Sequence, residues 1–172
     1  MAVIASTNLH WHLSGTASNN TDPAASIGGA ISTVPVVAAT IFDDVTGDEA
    51  LAGLVTYRCV FFQNADDNAT GLTTGKAWLT GTPATGETIA VAITGSGTAT
   101  TVEVAATETG TVAALTWSTH LQASAKSAGL SLTGTLGPSQ CQAIWLRRSI
   151  GASCAATNND TWTLNVEGDS TA

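Results

Sequence analysis

The stretch Leu54-Val55-Thr56-Tyr57-Arg58-Cys59-Val60-Phe61-Phe62-Gln63-Asn64 constrains this chain more than any other part of it. It is the densest run of β-branched and aromatic side chains, and it ends in the turn-forming cluster Asn64-Ala65-Asp66-Asp67-Asn68. Side chains alternate across a strand, so Val55, Tyr57, Cys59 and Phe61 share one face while Thr56, Arg58, Val60 and Phe62 share the other. The first face is lipophilic apart from one phenol oxygen; the second is mixed. This pattern predicts a central strand of a two-sheet sandwich, with the Tyr57-Cys59-Phe61 face in the core.

Further strands are expected on both sides of it. Asn8 to Leu13 alternates, with Leu9, Trp11 and Leu13 on one face and His10 and His12 on the other. Ser14 to Gly29 reads as a long polar loop, too rich in Ser, Asn and Gly to pack a core and long enough to be functional or interfacial. Ile31 to Phe42 is β-rich, but Pro35 lacks a ladder donor and suggests an edge or a bulge. The acidic run Asp43 to Glu49 reads as a solvated turn, without the Asp-x-Asp-x-Asp-Gly spacing of a calcium loop. Lys76 to Thr80 and Thr88 to Ile93 are strands that the turn Gly81 to Gly86 is expected to join as a hairpin. Val102 to Ala106, Val112 to Trp117, Leu130 to Leu136, Gln142 to Arg148 and Thr161 to Val166 follow as strands, with one helical turn expected in Ser118 to Ser127. Short strands between regular turns predict an all-β chain. The expected fold is one antiparallel β-sandwich domain over residues 1–172, jelly-roll or immunoglobulin-like, with long polar loops and an N-terminal arm of about residues 1–7.

Charge narrows the function. Charged residues make up only 10% of the chain, and five Lys and Arg oppose thirteen Asp and Glu for a formal net charge of −8. An acidic protein has few cations to displace phosphate counterions, which argues against a nucleic-acid partner. No basic amphipathic stretch and no long apolar run suggests a membrane partner, and Met1 to Thr7 does not read as a secretory leader. The missing charge is replaced by Thr, Ser, Asn and Gly, a surface that suits a protein packed against neighbours.

No motif for catalysis stands out. There is no Gly-x-Ser-x-Gly, no Walker-type loop and no His-Glu-x-x-His, so no enzyme activity and no cofactor are expected. His10-x-His12 sets two imidazoles on one side of a strand, but a metal needs a third ligand, either His120 or a second subunit. The simpler reading, two polar residues opposite Trp11, is preferred, and no metal is expected. Cys59, Cys141 and Cys154 form no C-x-x-C pair and fit a reducing compartment; Cys59 reads as a core hydrophobe, and a Cys141–Cys154 bridge across a hairpin is the less favoured alternative. Five Trp leave a carbohydrate-binding module open, although Trp11, Trp117, Trp145 and Trp162 sit in alternations that look like core. Arg147 and Arg148 close a strong strand on opposite faces, so one is expected at the surface as an interface anchor, with an internal salt bridge to Asp43, Asp44 or Asp160 as the equal alternative.

Several segments together resemble a family of tailed-bacteriophage virion structural proteins. They are Leu13-Ser14-Gly15 with Ser18 to Ser32, Phe42 to Ala50, Tyr57-Arg58-Cys59, Ile144 to Arg148 and Asn158 to Trp162, with the middle of the chain, about Gly81 to Gly134, the weakest match. The resemblance implies a component of the particle, assembled in the bacterial cytoplasm, and it hands over no catalytic residues. The expected role is a head decoration (cement) protein bound to the major capsid protein as a homotrimer. A tail, baseplate or collar component is the alternative, and a carbohydrate-binding module a further one. The expected contacts are Ala2, Val3 and Ile4 of the arm, Asn19, Asn20 and Asp22 of the polar loop, and Arg147 or Arg148 as anchor for a capsid carboxylate.

Overall fold

The computed structural model describes residues 4–36, 41–67, 70–82, 86–95, 97–112, 115–118, 126–152, 154 and 161–171. The chain is all-β and sandwich-like, with every strand pairing antiparallel. Its strands are β1 (Leu9–Gly15), β2 (Gly28–Val36), β3 (Leu54–Asn64), β4 (Gly71–Thr82), β5 (Glu87–Thr94), β6 (Thr101–Val104), β7 (Leu130–Ser131), β8 (Cys141–Ile150) and β9 (Thr161–Thr171). The larger sheet has six strands in the order β5-β8-β3-β1-β2-β6, and the smaller has three in the order β7-β4-β9. The expected central strand is β3, which pairs with β8 over its length and with β1 at its C-terminal half.

Both faces of β3 are buried, which corrects the expectation of one core face. Val60 and Phe62 point to the smaller sheet and meet Leu13, Leu72, Leu79, Ile144 and Leu146 in the larger cluster. Tyr57, Cys59 and Phe61 point the other way into a second cluster with Trp145, Ala143, Ala105 and Val112. This second core exists because the six-stranded sheet curls. From β6, at one edge, the chain runs past Ala105 and Val112 to Ser118, which bridges Val91 of β5 at the opposite edge. That strap lies over a face the alternation alone left without a cover. Gly28, at φ 98°, allows the close approach: a Cβ there would lie 3.0 Å from Cη2 of Trp145. Val55 belongs to the same face but lies beyond the strap and is 40% exposed.

Several local expectations change with the nonlocal pairing. β4 and β5 lie in different sheets, so Gly81 to Gly86 joins sheets and closes no hairpin. Val112 to Trp117 forms no strand among its described residues, and Leu130 to Leu136 contributes only β7 and one bridge, Leu136 to Leu72. The acidic turn holds a helix, α1 (Gly47–Ala52), closed by a capping box in which Thr46 and Glu49 bond each other's backbone amides. Pro35 lies opposite His12, beyond the reach of β6, and a register shift falls between His12 and Ser14. Most of the segment expected to hold a helical turn, residues 119–125, lies outside the described set; a 3-10 turn stands at its end, Lys126–Ala128.

Candidate functional site

The polar loop after β1 packs against the sheet, contrary to the expectation that it is too polar to do so. Ser14 and Ser26 are fully buried, and both hydroxyls donate to the Cys59 carbonyl, at 2.9 and 2.5 Å. Ser26 Oγ also accepts from the Ser14 amide and Ser14 Oγ from the Gly28 amide. The shift between β1 and β2 leaves backbone groups unpaired, and short hydroxyls take their place. Asn20 is buried; its amide nitrogen donates to the carbonyls of Ser14 and Asp22, and its carbonyl oxygen accepts from the Asp22 amide. Of the three loop residues expected at an interface, Asn20 therefore holds the loop together, while Asn19 and Asp22 are exposed on its rim.

The arm divides in the same way. Ile4 is buried in the larger core, and its amide donates to Ser170 Oγ of β9 at 3.3 Å. Ala2 and Val3 lie outside the described residues.

The arginines separate by surroundings. Arg58 is 1% exposed; its Nη2 lies 2.7 Å from Glu108 and 3.6 Å from Asp43, while Nε and Nη1 donate to the carbonyls of Ile41 and Tyr57. Arg148 is also buried, donates to the Asp43 carbonyl at 2.7 Å and lies over Phe42, whose ring is shared with Arg58. Burial lowers the Arg148 pKa, with Arg58 acting in the same sense and Glu87, Asp43 and Glu49 opposing. Asp43 thus ties down both arginines, to Arg148 through its backbone and to Arg58 through its carboxylate. Of the other expected partners, Asp44 and Asp160, the latter lies outside the described residues. Arg147 points to the opposite face, half-buried, with its guanidinium 5.0 Å from the Trp117 ring.

The histidine pair does not form a coordinating set. His10 and His12 have ring centroids 6.0 Å apart, and His120 lies outside the described residues. His10 Nε2 bonds the Thr7 carbonyl, and His12 is buried, where desolvation lowers its pKa. Among the described residues no group of three or more His, Cys, Asp and Glu side chains converges on a metal position. Cys59 and Cys141 are free thiols, and Cys141 sits against the Ala99 carbonyl rather than in a bridge with Cys154.

Two open grooves flank a strained position, Thr74 at φ 50°, beside the bulge in β4. One is lined by Thr74, Lys76, Trp78, Lys126, Glu167 and Asp169, the other by Gly75, Ser131, Leu132 and Gly134. In the first the Thr74 hydroxyl donates to the Asp169 carboxylate, and Lys126 lies 3.1 Å from Asp169 and 4.0 Å from Glu167. All five tryptophans are buried or half-buried.

Spacing signals for part of this arrangement are present in the chain. Thr46-x-x-Glu49 is a capping-box pattern that the acidic composition masks. Nothing local points to Glu108 as the partner of Arg58, fifty residues away. No family model, no curated protein and no solved structure matches this chain.

Proposed function

We propose that this chain is a non-enzymatic structural component of a tailed-bacteriophage particle, bound to the major capsid protein on the outside of the head as a homotrimer. The observation that carries the reading is the free edge of β9. This strand runs from Thr161 to Thr171, and among the described residues its backbone pairs only with β4. Its first six residues, Thr161-Trp162-Thr163-Leu164-Asn165-Val166, have neither Pro nor charge, the usual means by which soluble proteins blunt an open edge, and charge appears only beyond them at Glu167 and Asp169. Such an edge accepts a strand from a neighbour, and it does so through backbone bonds that require no exposed hydrophobic surface.

Two further features support assembly. Exposed Thr, Ser and Asn are desolvated at modest cost when each finds a partner, whereas buried Lys or Glu costs far more. A heterologous edge contact repeated about a closed axis gives a ring, and the ring multiplies a weak shell contact by avidity. Asn19, Asp22, Arg147 and the arm residues Ala2 and Val3 are the contact candidates that remain once Ile4, Asn20 and Arg148 are engaged within the chain.

A carbohydrate-binding role finds less support, because stacking on a sugar needs an exposed aromatic platform and the exposed large hydrophobics are Val34, Leu51, Val55 and Val104. Fractionating particles of the encoding phage into heads and tails, then locating this chain by mass spectrometry, tests the proposal. Recovery with heads is the expected result; recovery only with tails, baseplates or collars overturns it.

A further inference from the structure

The five cations of this acidic chain are not equivalent. Arg58 is paired with two carboxylates, Arg148 with the Asp43 carbonyl, and Lys126 with Asp169 and Glu167. Lys76 reaches the Gly129 carbonyl at 3.4 Å and stands opposite Glu167 in the β4–β9 register. Arg147 differs in having no carboxylate and no hydrogen-bond acceptor among the described residues; its Nε, like that of Arg148, is shut off from water without a partner.

Its surroundings hold the guanidinium in place without neutralising it. In register, Arg147 lies between Tyr57 of β3 and Ala90 of β5. The next rung outward on the same face is Val55, Ser149 and Thr88, with no acid among them. Trp117 covers the planar group at 5.0 Å and itself packs on Tyr57, ring centroids 5.7 Å apart. The neighbouring Ser118 is fastened to Val91 by two backbone hydrogen bonds, so the aromatic platform is fixed to the sheet. A guanidinium that is stacked, oriented and unpaired among the described residues, in a chain of net charge −8, is built to receive an anion from outside.

We propose that Arg147 is a receptor for a carboxylate side chain on a partner protein, with Trp117 as its platform. Its terminal nitrogens offer the planar fork that a carboxylate accepts in two parallel bonds. Naming the partner as the capsid subunit rests on the function proposed above; the carboxylate chemistry does not.

The test uses the full-length chain with isotope-labelled arginine and tryptophan side chains, titrated with a hexaglutamate peptide and, separately, with hexaglutamine and inorganic phosphate. A saturable shift of the Arg147 guanidinium and Trp117 indole signals with hexaglutamate alone is expected. Arg147→Gln should abolish it, and Arg147→Lys should weaken it by roughly tenfold, because the charge stays but the fork is lost. Equal shifts at Lys76 and Lys126, an unaltered response in Arg147→Gln, or a response to phosphate but not hexaglutamate would overturn the proposal. Should Arg147→Gln fail to fold, the wild-type signals decide alone. No virion enters this experiment, so its failure leaves the particle reading standing, and loss of the particle reading leaves the receptor standing.

Discussion

Arg58 and Glu108 meet at 2.7 Å between β3 and the strap that crosses the curled sheet, the arginine 1% exposed and the glutamate still in contact with water. The pair fastens the strap where the Glu108 carbonyl also accepts the Tyr57 amide at 2.7 Å. Losing the carboxylate leaves a buried cation with only the more distant Asp43 and two carbonyls. Glu108→Gln is expected to cost about 1.5–3 kcal/mol, the range for a hydrogen bond to a charged group. Urea unfolding measures it, and a cost near zero would mean that the strap is held by Val112 and Trp117 alone.

The two-sided burial of β3 sets a sharp contrast along one face. Phe61 is fully buried and Val55 is exposed. Phe61→Ala is expected to cost about 3–5 kcal/mol from lost packing and the cavity left behind. Val55→Ala should stay within about 0.5 kcal/mol, as surface substitutions do. Similar costs at the two sites would place the strap edge elsewhere.

These residues also show what a sequence of this kind discloses. Alternation in Tyr57, Cys59 and Phe61 suffices to assign a buried face, because an unbroken lipophilic stripe is costly to leave in water. The opposite face looks half-exposed because Arg58 interrupts it, and the partners that let an arginine be buried come from distant segments. Periodicity reports a side chain's neighbours on its own strand and nothing about a strap that arrives fifty residues later. The same limit hides the inward turn of Asn20 and Ser26: their composition reads as solvent-facing, while their hydrogen bonds replace missing ladder partners. That Arg147 is unpaired among the described residues is legible only in half, since spacing cannot tell it from Arg148 without the Asp43 contact that holds Arg148.

Histidine protonation gives a pH dependence. Burial holds the His12 imidazole below its ordinary value of 6.5, the charge of His10 acts in the same sense, and the contacts with Ser32, Gln63 and Val34 oppose it less strongly. The unfolded chain therefore takes up this proton first as pH falls. Stability should decline as pH drops through about 6.5 and level off once the folded imidazole also protonates. Urea midpoints between about pH 8 and 5 measure the decline, and His12→Gln should flatten it. An equal decline in the variant would assign it to other groups.

Thiol reactivity separates the cysteines. Cys59 and Cys141 are buried, and burial pushes both thiols above the usual cysteine range, Cys59 the further. The thiolate is the reactive form, so an alkylating reagent should label the half-buried Cys154 first and reach the other two only on unfolding. Mass spectrometry of the partly labelled native protein reads the order. A Cys141–Cys154 disulfide in protein purified without reductant would contradict the free Cys141 thiol of the structure.

Reconstitution tests the central claim most directly. Heads of the tailed phage proposed as its source, assembled without this chain, would be incubated with the purified protein and imaged by electron cryomicroscopy. The predicted result is saturable density on the outer shell in groups of three related by closed symmetry, with β9 edges facing neighbouring copies. Heads left bare at saturating protein, with the chain bound instead to tails or to no part of the particle, would contradict it.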